Sequence, residues 1–152
     1  MKKMLLFLFG ISVLMIKAQF NSANEIVEFS KKNYSEKRIN LVKNGWKKFN
    51  VEYVSGLESS KFIKTLSGVK FEIIMRSGIM PTSQKTINST MIYIPKSKIV
   101  DRYLDEFDVK YKFKMLDENV IGYSEKNFSI TITLGTDNEG KPLYEIKIIT
   151  VK

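Results

Sequence analysis

The stretch "VKFEIIMRSG" (residues 69–78) alternates apolar and polar side chains, placing Val69, Phe71, Ile73 and Met75 on one side. Period-two alternation is the pattern of a half-buried strand. A second stretch, "KNFSITITLG" (126–135), lies on it without a gap. Phe71 then meets Phe128, Ile73 meets Ile130, Met75 meets Ile132, and Gly78 meets Gly135. Each stretch follows a helical pattern and a strand, and each precedes a loop and another strand. The class this predicts is α+β, with a mainly antiparallel sheet and two principal helices. A tandem α-β-β-β duplication, with halves 22–95 and 96–152, is the finer expectation. The competing explanation is that any two amphipathic strands ending in glycine look alike.

Upstream, "NSANEIVEFSKKNYSEKRINLVKNGW" (21–46) opens with Ser22 and Glu25 at capping-box spacing, and Asn44-Gly45 supplies a helix stop. Ile26, Phe29, Ile39 and Val42 form its expected apolar face, and Ser35 is placed to start a second helical segment. "FNVEYV" (49–54) reads as a strand with Phe49, Val51 and Tyr53 on one face. In "SSKFIKTLSG" (59–68), Phe62, Ile63 and Leu66 fit a helical turn slightly better than a strand.

Downstream, "TMIYIP" (90–95) is a strand, and "SKIVDRYLDEFD" (97–108) is a helix striped by Ile99, Val100, Tyr103, Leu104 and Phe107. "VKYKFKM" (109–115), "VIGYS" (120–124), "NFSITITLG" (127–135) and "LYEIKIITV" (143–151) complete the sheet. In outline the order resembles the small exported inhibitor and assembly-factor folds built from tandem helix-plus-sheet units, such as the β-lactamase inhibitor proteins. The likeness is one of shape: none of that family's motifs is present and its disulfides are absent.

The N-terminus sets the compartment. Lys2 and Lys3 precede an apolar run from Met4 to Ile16, and small Ala18 precedes Gln19. Thirteen helical residues span only about 20 Å of a hydrocarbon core roughly 30 Å thick. Residues 1–18 therefore read as a cleaved signal peptide, leaving a single domain over 19–152 in the periplasm or outside the cell. No cysteine follows that could carry a lipid anchor. Cleavage removes three lysines and no acid, lowering the formal charge from +9 to +6.

Absences narrow the chemistry. The chain has no His and no Cys, which removes the common nucleophile–base pairs and the usual zinc or haem ligands. No glycine-rich phosphate loop is present. Ser67-Gly-Val-Lys70 matches an S-x-x-K pattern but lacks its helical setting and its accompanying motifs. Asp101, Asp105, Glu106, Asp108 and Asp117 could supply paired carboxylates for a small hydrolase, yet they read better as surface charge. "TDNEGK" (136–141) lacks calcium-loop spacing and reads as a hairpin turn with Gly140 in the left-handed position. No cofactor, metal or catalytic residue is assigned.

Two surface features remain. Ile79, Met80, Thr82 and Gln84 lie in the loop "IMPTSQKTINS" (79–89), where apolar residues beside Gly78 and Pro81 suit a protein contact or a fold-back over the core. Lys110, Lys112 and Lys114, if they share a strand face, form a strip with Lys141 and Lys147 for a polyanion such as lipopolysaccharide or an envelope glycan. No recognition helix or aromatic signature points to specific nucleic-acid binding. The leading expectation is thus an exported, non-catalytic protein-binding protein, and the polyanion binder is its alternative. Exported material should begin at Gln19, and its intact mass will show it; a membrane-bound species retaining residues 1–18 would refute the cleavage.

Overall fold

A computed structural model describes residues 20–54, 56–66 and 68–152; the signal-peptide reading and Ser67 fall outside the described residues. Helices α1 (Ala23–Lys31) and α2 (Tyr34–Lys43) lead into strands β1 (Lys47–Val54), β2 (Leu57–Leu66), β3 (Val69–Ile79) and β4 (Thr86–Pro95). Helix α3 (Lys98–Tyr111) then leads into β5 (Lys114–Asp117), β6 (Val120–Glu125), β7 (Phe128–Thr136) and β8 (Pro142–Val151). All eight strands form one antiparallel sheet in the order β1-β2-β3-β4-β8-β7-β6-β5. The fold is α+β, as the alternation predicted.

Register explains the core. Phe62 opposes Ile73, which opposes Ile92, which opposes Ile146, then Ile132, then Ile121. A parallel row runs Ser60, Met75, Thr90, Ile148, Ile130, Tyr123. Cross-strand neighbours on one face pack directly, and β-branched residues suit that surface. Ile26, Val27, Phe29, Leu41, Val100, Tyr103 and Phe107 of the helices join these rows in one core. Helix α1 packs on α3, β4 and β8, and α2 packs on β3. Phe71, Ile73 and Met75 of β3, like Phe128, Ile130 and Ile132 of β7, belong to this core or pack against it. Val69, at the start of β3, is exposed.

Several local expectations change. "SSKFIKTLSG" is strand β2, because β1 and β3 pair on either side of it and alternation sends Phe62 to the helices and Ile63 to the opposite face. The first helical region breaks at Lys32, and Asn33, not Ser35, caps α2 in a complete capping box with Glu36. That break resets the helical phase, so Lys37 and Leu41 turn inward while Ile39 and Val42 face solvent. Ser22 caps α1 by accepting from the Glu25 amide at 3.2 Å, while the Glu25 carboxylate accepts from the Asn21 amide at 2.7 Å. Helix α3 extends through Tyr111, three residues past its expected end, and Ile99 is partly exposed. Its acids have an internal use: Glu106 accepts from the Ala23 amide at 2.7 Å, at the positive end of α1.

Lys37 is the least expected member of the interior. It is 0% exposed, and its Nζ donates to Ser30 O at 3.1 Å and Thr90 Oγ1 at 3.0 Å. No carboxylate bridges it among the described residues. Burial first, then the positive charge of Lys152, lowers its pKa to about 8. A lysine whose folded pKa is depressed binds fewer protons folded than unfolded above pH 8, so stability rises with pH there. Between pH 7 and 9.5 the Lys37 contribution should rise by about 2 kcal/mol. Urea unfolding of the parent chain and Lys37→Met at both pH values should show the rise only in the parent. The range stops short of pH 10, where Tyr34, Tyr93 and Tyr103, with raised pKa values, oppose it.

Candidate functional site

The free edge of the sheet is its most unusual surface. Among the described residues strand β1 pairs only with β2, so the backbone amides and carbonyls along its other side have no strand partner there. All eight of its residues are exposed. A β-bulge between Phe49 and Val51 reverses the facing of the strand halfway along. Phe49, opposite Lys61, therefore lies on the helix-free face, while Val51 and Tyr53, opposite Ser60 and Glu58, lie on the helix side. The expectation that Phe49, Val51 and Tyr53 share one face fails for that reason. Among the described residues neither face of β1 is covered, because the helices lie over the middle of the sheet, where α1 and α2 meet β3, β4 and β8. Phe49 is 51% exposed and Tyr53 79%.

Neighbouring elements extend this apolar border. Arg38 of α2 reaches Glu58 of β2 at 4.0 Å, and Val42, exposed, is one turn farther along the same side of the helix. At the β1–β2 turn the Leu57 side chain lies over Gly78 of β3, where an added Cβ would come within 2.6 Å of it. A larger residue at 78 would have to displace the Leu57 side chain and would also crowd Gly56 O at 3.0 Å. The opposite edge, β5, is four residues long and bulged, although Met115 and Leu116 are exposed. Shortness and bulging are the usual protections of an edge. Strand β1, at eight residues, has only its bulge, Lys47, Lys48 and Glu52.

The helix-free face is less open than the edge. Lys61 and Lys70 each bridge Glu72 at 2.6 Å, and Met91 near its middle is 5% exposed. Burial, followed by the hydrogen bond to Glu145, pushes the Tyr93 phenol up to about 12. Charges that neutralise one another within the layer leave little for a partner.

The proposed contact loop is shorter than its sequence suggested. Strand β3 runs through Gly78 to Ile79, which pairs with Thr86. The Met80 amide donates to Lys85 O and the Gln84 amide to Met80 O, both at 2.9 Å, so residues 80–85 form a closed hairpin loop. Ile79, Thr82 and Gln84 are exposed and Met80 is half-buried; Gln84 takes a left-handed φ of 54° and its side chain donates to Pro81 O. They sit at the same end of the sheet as the β1–β2 turn.

The lysine strip does not form. Lys110 is in the last turn of α3 and donates to Asn24 Oδ1 at 2.6 Å. Lys112 is the left-handed C-cap of that helix, and Lys114 opens β5. A helix that runs to Tyr111 and a left-handed cap cannot place three alternate lysines on one strand face. Lys114 and Lys147 do share the helix-free face, separated by Gly122 and Thr131. Lys141 lies in the β7–β8 turn, bridged to Glu139. In that turn the Asp137 carboxylate accepts the Glu139 and Lys141 amides at 2.9 Å, which hold it below its ordinary pKa, and Gly140 takes a φ of 77°.

The carboxylates Asp101, Asp105, Glu106 and Asp108 stay along α3, and Asp117 ends β5. Among the described residues no group of three acids is gathered that could hold a metal ion, and no helix is long and apolar enough to cross a membrane. Comparison of the chain with protein-family models, curated proteins and solved structures returned no match.

Lys112 offers a direct check of the helix end. A left-handed cap is strained for a residue with a Cβ and relaxed for glycine. Lys112→Gly should stabilise the fold by about 0.5–1 kcal/mol in urea denaturation; a loss of stability would restore the strand reading.

Proposed function

We propose that the chain is an exported, non-catalytic binding protein of the bacterial periplasm or exterior, and that it takes an extended segment of a partner protein along β1. The observation that carries this reading is an eight-residue edge strand, entirely exposed, bearing Phe49, Val51, Tyr53 and Val54. Such an edge gives a second strand main-chain hydrogen bonds along its length, and the side chains beside it give selectivity. Ile79 and Met80, at the adjoining end, are placed to extend the contact. The absence of His and Cys supports a role without catalysis.

The finer architectural proposal is a tandem repeat, enlarged from α-β-β-β to four strands per unit. Its support is that residues 23–95, with two helices, and 98–151, with one, each continue into four antiparallel strands, and that their last strands pair around Met91 and Lys147. A shared row containing Lys114 and Lys147 is what remains in favour of a polyanion or envelope glycan.

The exported protein carrying Phe49→Lys and Tyr53→Lys tests the assignment. Both side chains are exposed, so unfolding should shift by less than about 0.5 kcal/mol. Retention of envelope proteins in a pull-down should fall at least about tenfold, the scale of losing interface anchors. Binding by strand addition should also survive a rise from 50 to 200 mM salt, which costs a polyanion complex about 10³-fold or more. If Lys114→Glu with Lys147→Glu abolishes retention and the edge variant does not, the polyanion reading replaces this one. If the edge variant merely converts a dimer to a monomer, the occupant of β1 is a second copy of the chain.

A further inference from the structure

The ends of α1, α3 and β8 converge on a cleft of about 410 Å³. Its aromatic lining is Tyr111 of α3, Tyr123 of β6 and Phe128 of β7, with ring centroids 5.1, 6.0 and 6.4 Å apart. Three ammonium groups belong to the same cleft: Lys31 at the end of α1, Lys110 at the end of α3, and Lys152 after β8. Lys31 lies 5.9 Å from the Phe128 ring centre and Lys110 lies 5.3 Å from that of Tyr111. The acid in the lining, Glu125, is engaged by the Tyr123 hydroxyl. Outside it, Glu28 bridges Lys31.

Two features of this cleft exceed what helix ends require. Lysines near the last turns of α1 and α3 complement the helix dipoles, but Lys152 belongs to no helix. Its charge adds to the field at Lys37, the buried ammonium that no carboxylate bridges among the described residues. The second feature is Thr150, which lines the cleft, is 7% exposed, and keeps a buried hydroxyl without a hydrogen-bond partner. Such a group is usually satisfied in a native fold. An excess of positive charge, an unused hydroxyl and a wall of aromatic rings are complementary to one ligand chemistry.

We infer that this cleft binds a small organic anion, a carboxylate or sulfonate carried on an aromatic or acyl body. The rings would take the apolar body, and Lys110 and Lys152 the charged group. The site is separate from the β1 edge and does not depend on what that edge binds.

Titration of the full chain with 8-anilinonaphthalene-1-sulfonate, followed by fluorescence, tests the proposal. Saturable binding of one equivalent is expected. Uncharged N-phenyl-1-naphthylamine, with the same rings, should bind about tenfold more weakly, the scale of one charge-assisted contact. Lys110→Glu and Lys152→Glu, both at exposed positions, should each weaken the sulfonate about tenfold or more. Phe49→Lys with Tyr53→Lys should leave it unchanged, which separates the cleft from the apolar edge. Thr150→Val should keep or raise the melting temperature while weakening the sulfonate. Equal affinity for the uncharged probe, full binding by both lysine variants, or loss of binding in the edge variant would each overturn the assignment. So would unchanged affinity in Thr150→Val.

Discussion

The row Phe62–Ile73–Ile92–Ile146–Ile132–Ile121 crosses six of the eight strands, and the pairing of β4 with β8 joins its two parts. A slip of one residue at that junction would turn every isoleucine of one half from the helices toward the open face. The positions of α1 and α3 follow from the same row, because their apolar stripes have only this surface to cover. With no cysteine in the chain, packing along the row carries stability that a disulfide could otherwise supply.

Beside this apolar row lies a polar one, and the contrast shapes the molecule. Tyr34 donates to Ser60 at 2.7 Å, Ser77 donates to Asn88 at 2.8 Å, and Lys37 bonds Ser30 and Thr90. The bonds of Tyr34 and Lys37 tie α2 to the sheet and to α1, and the Ser77–Asn88 bond links β3 to β4. Lys37 is the unstable element of the arrangement, since its charge is desolvated without an opposite charge beside it. Its place near Lys152 connects the interior to the cleft at the end of β8, where the same positive excess reaches the surface.

The free edge and the cleft arise from one cause. Three helices cover the centre of an eight-stranded sheet but leave its outer strands bare. Strand β1 is left beyond the helices with Phe49 and Tyr53 exposed, and the cleft opens where α1 and α3 end before the strands do. Among the described residues neither feature gathers a group of three acids.

Much of this was legible in the order of residues. Alternation in 69–78 and 126–135 identified β3 and β7 with their inward faces, and the stripe through Val100, Tyr103 and Phe107 identified α3. Asn44-Gly45 marked the end of α2, and Asp137 with Gly140 marked a turn. These patterns are local, and a helix or strand states in its own periodicity which side chains share a face. Periodicity does not state what lies against that face. Phe49, Val51 and Tyr53 read as one strand face because nothing in 49–54 reveals a bulge at Asn50. Lys110, Lys112 and Lys114 looked like a strand face because the packing of Tyr111 against Tyr123 and Phe128, which draws the helix onward, involves other elements of the chain. Lys37 is buried because the Asn33 cap sets the phase of α2, which no single stretch of sequence announces. The sequence determined which residues travel together, and only the tertiary structure decided which of their faces met another element and which met water, because burial is a property of neighbours brought in from elsewhere in the chain.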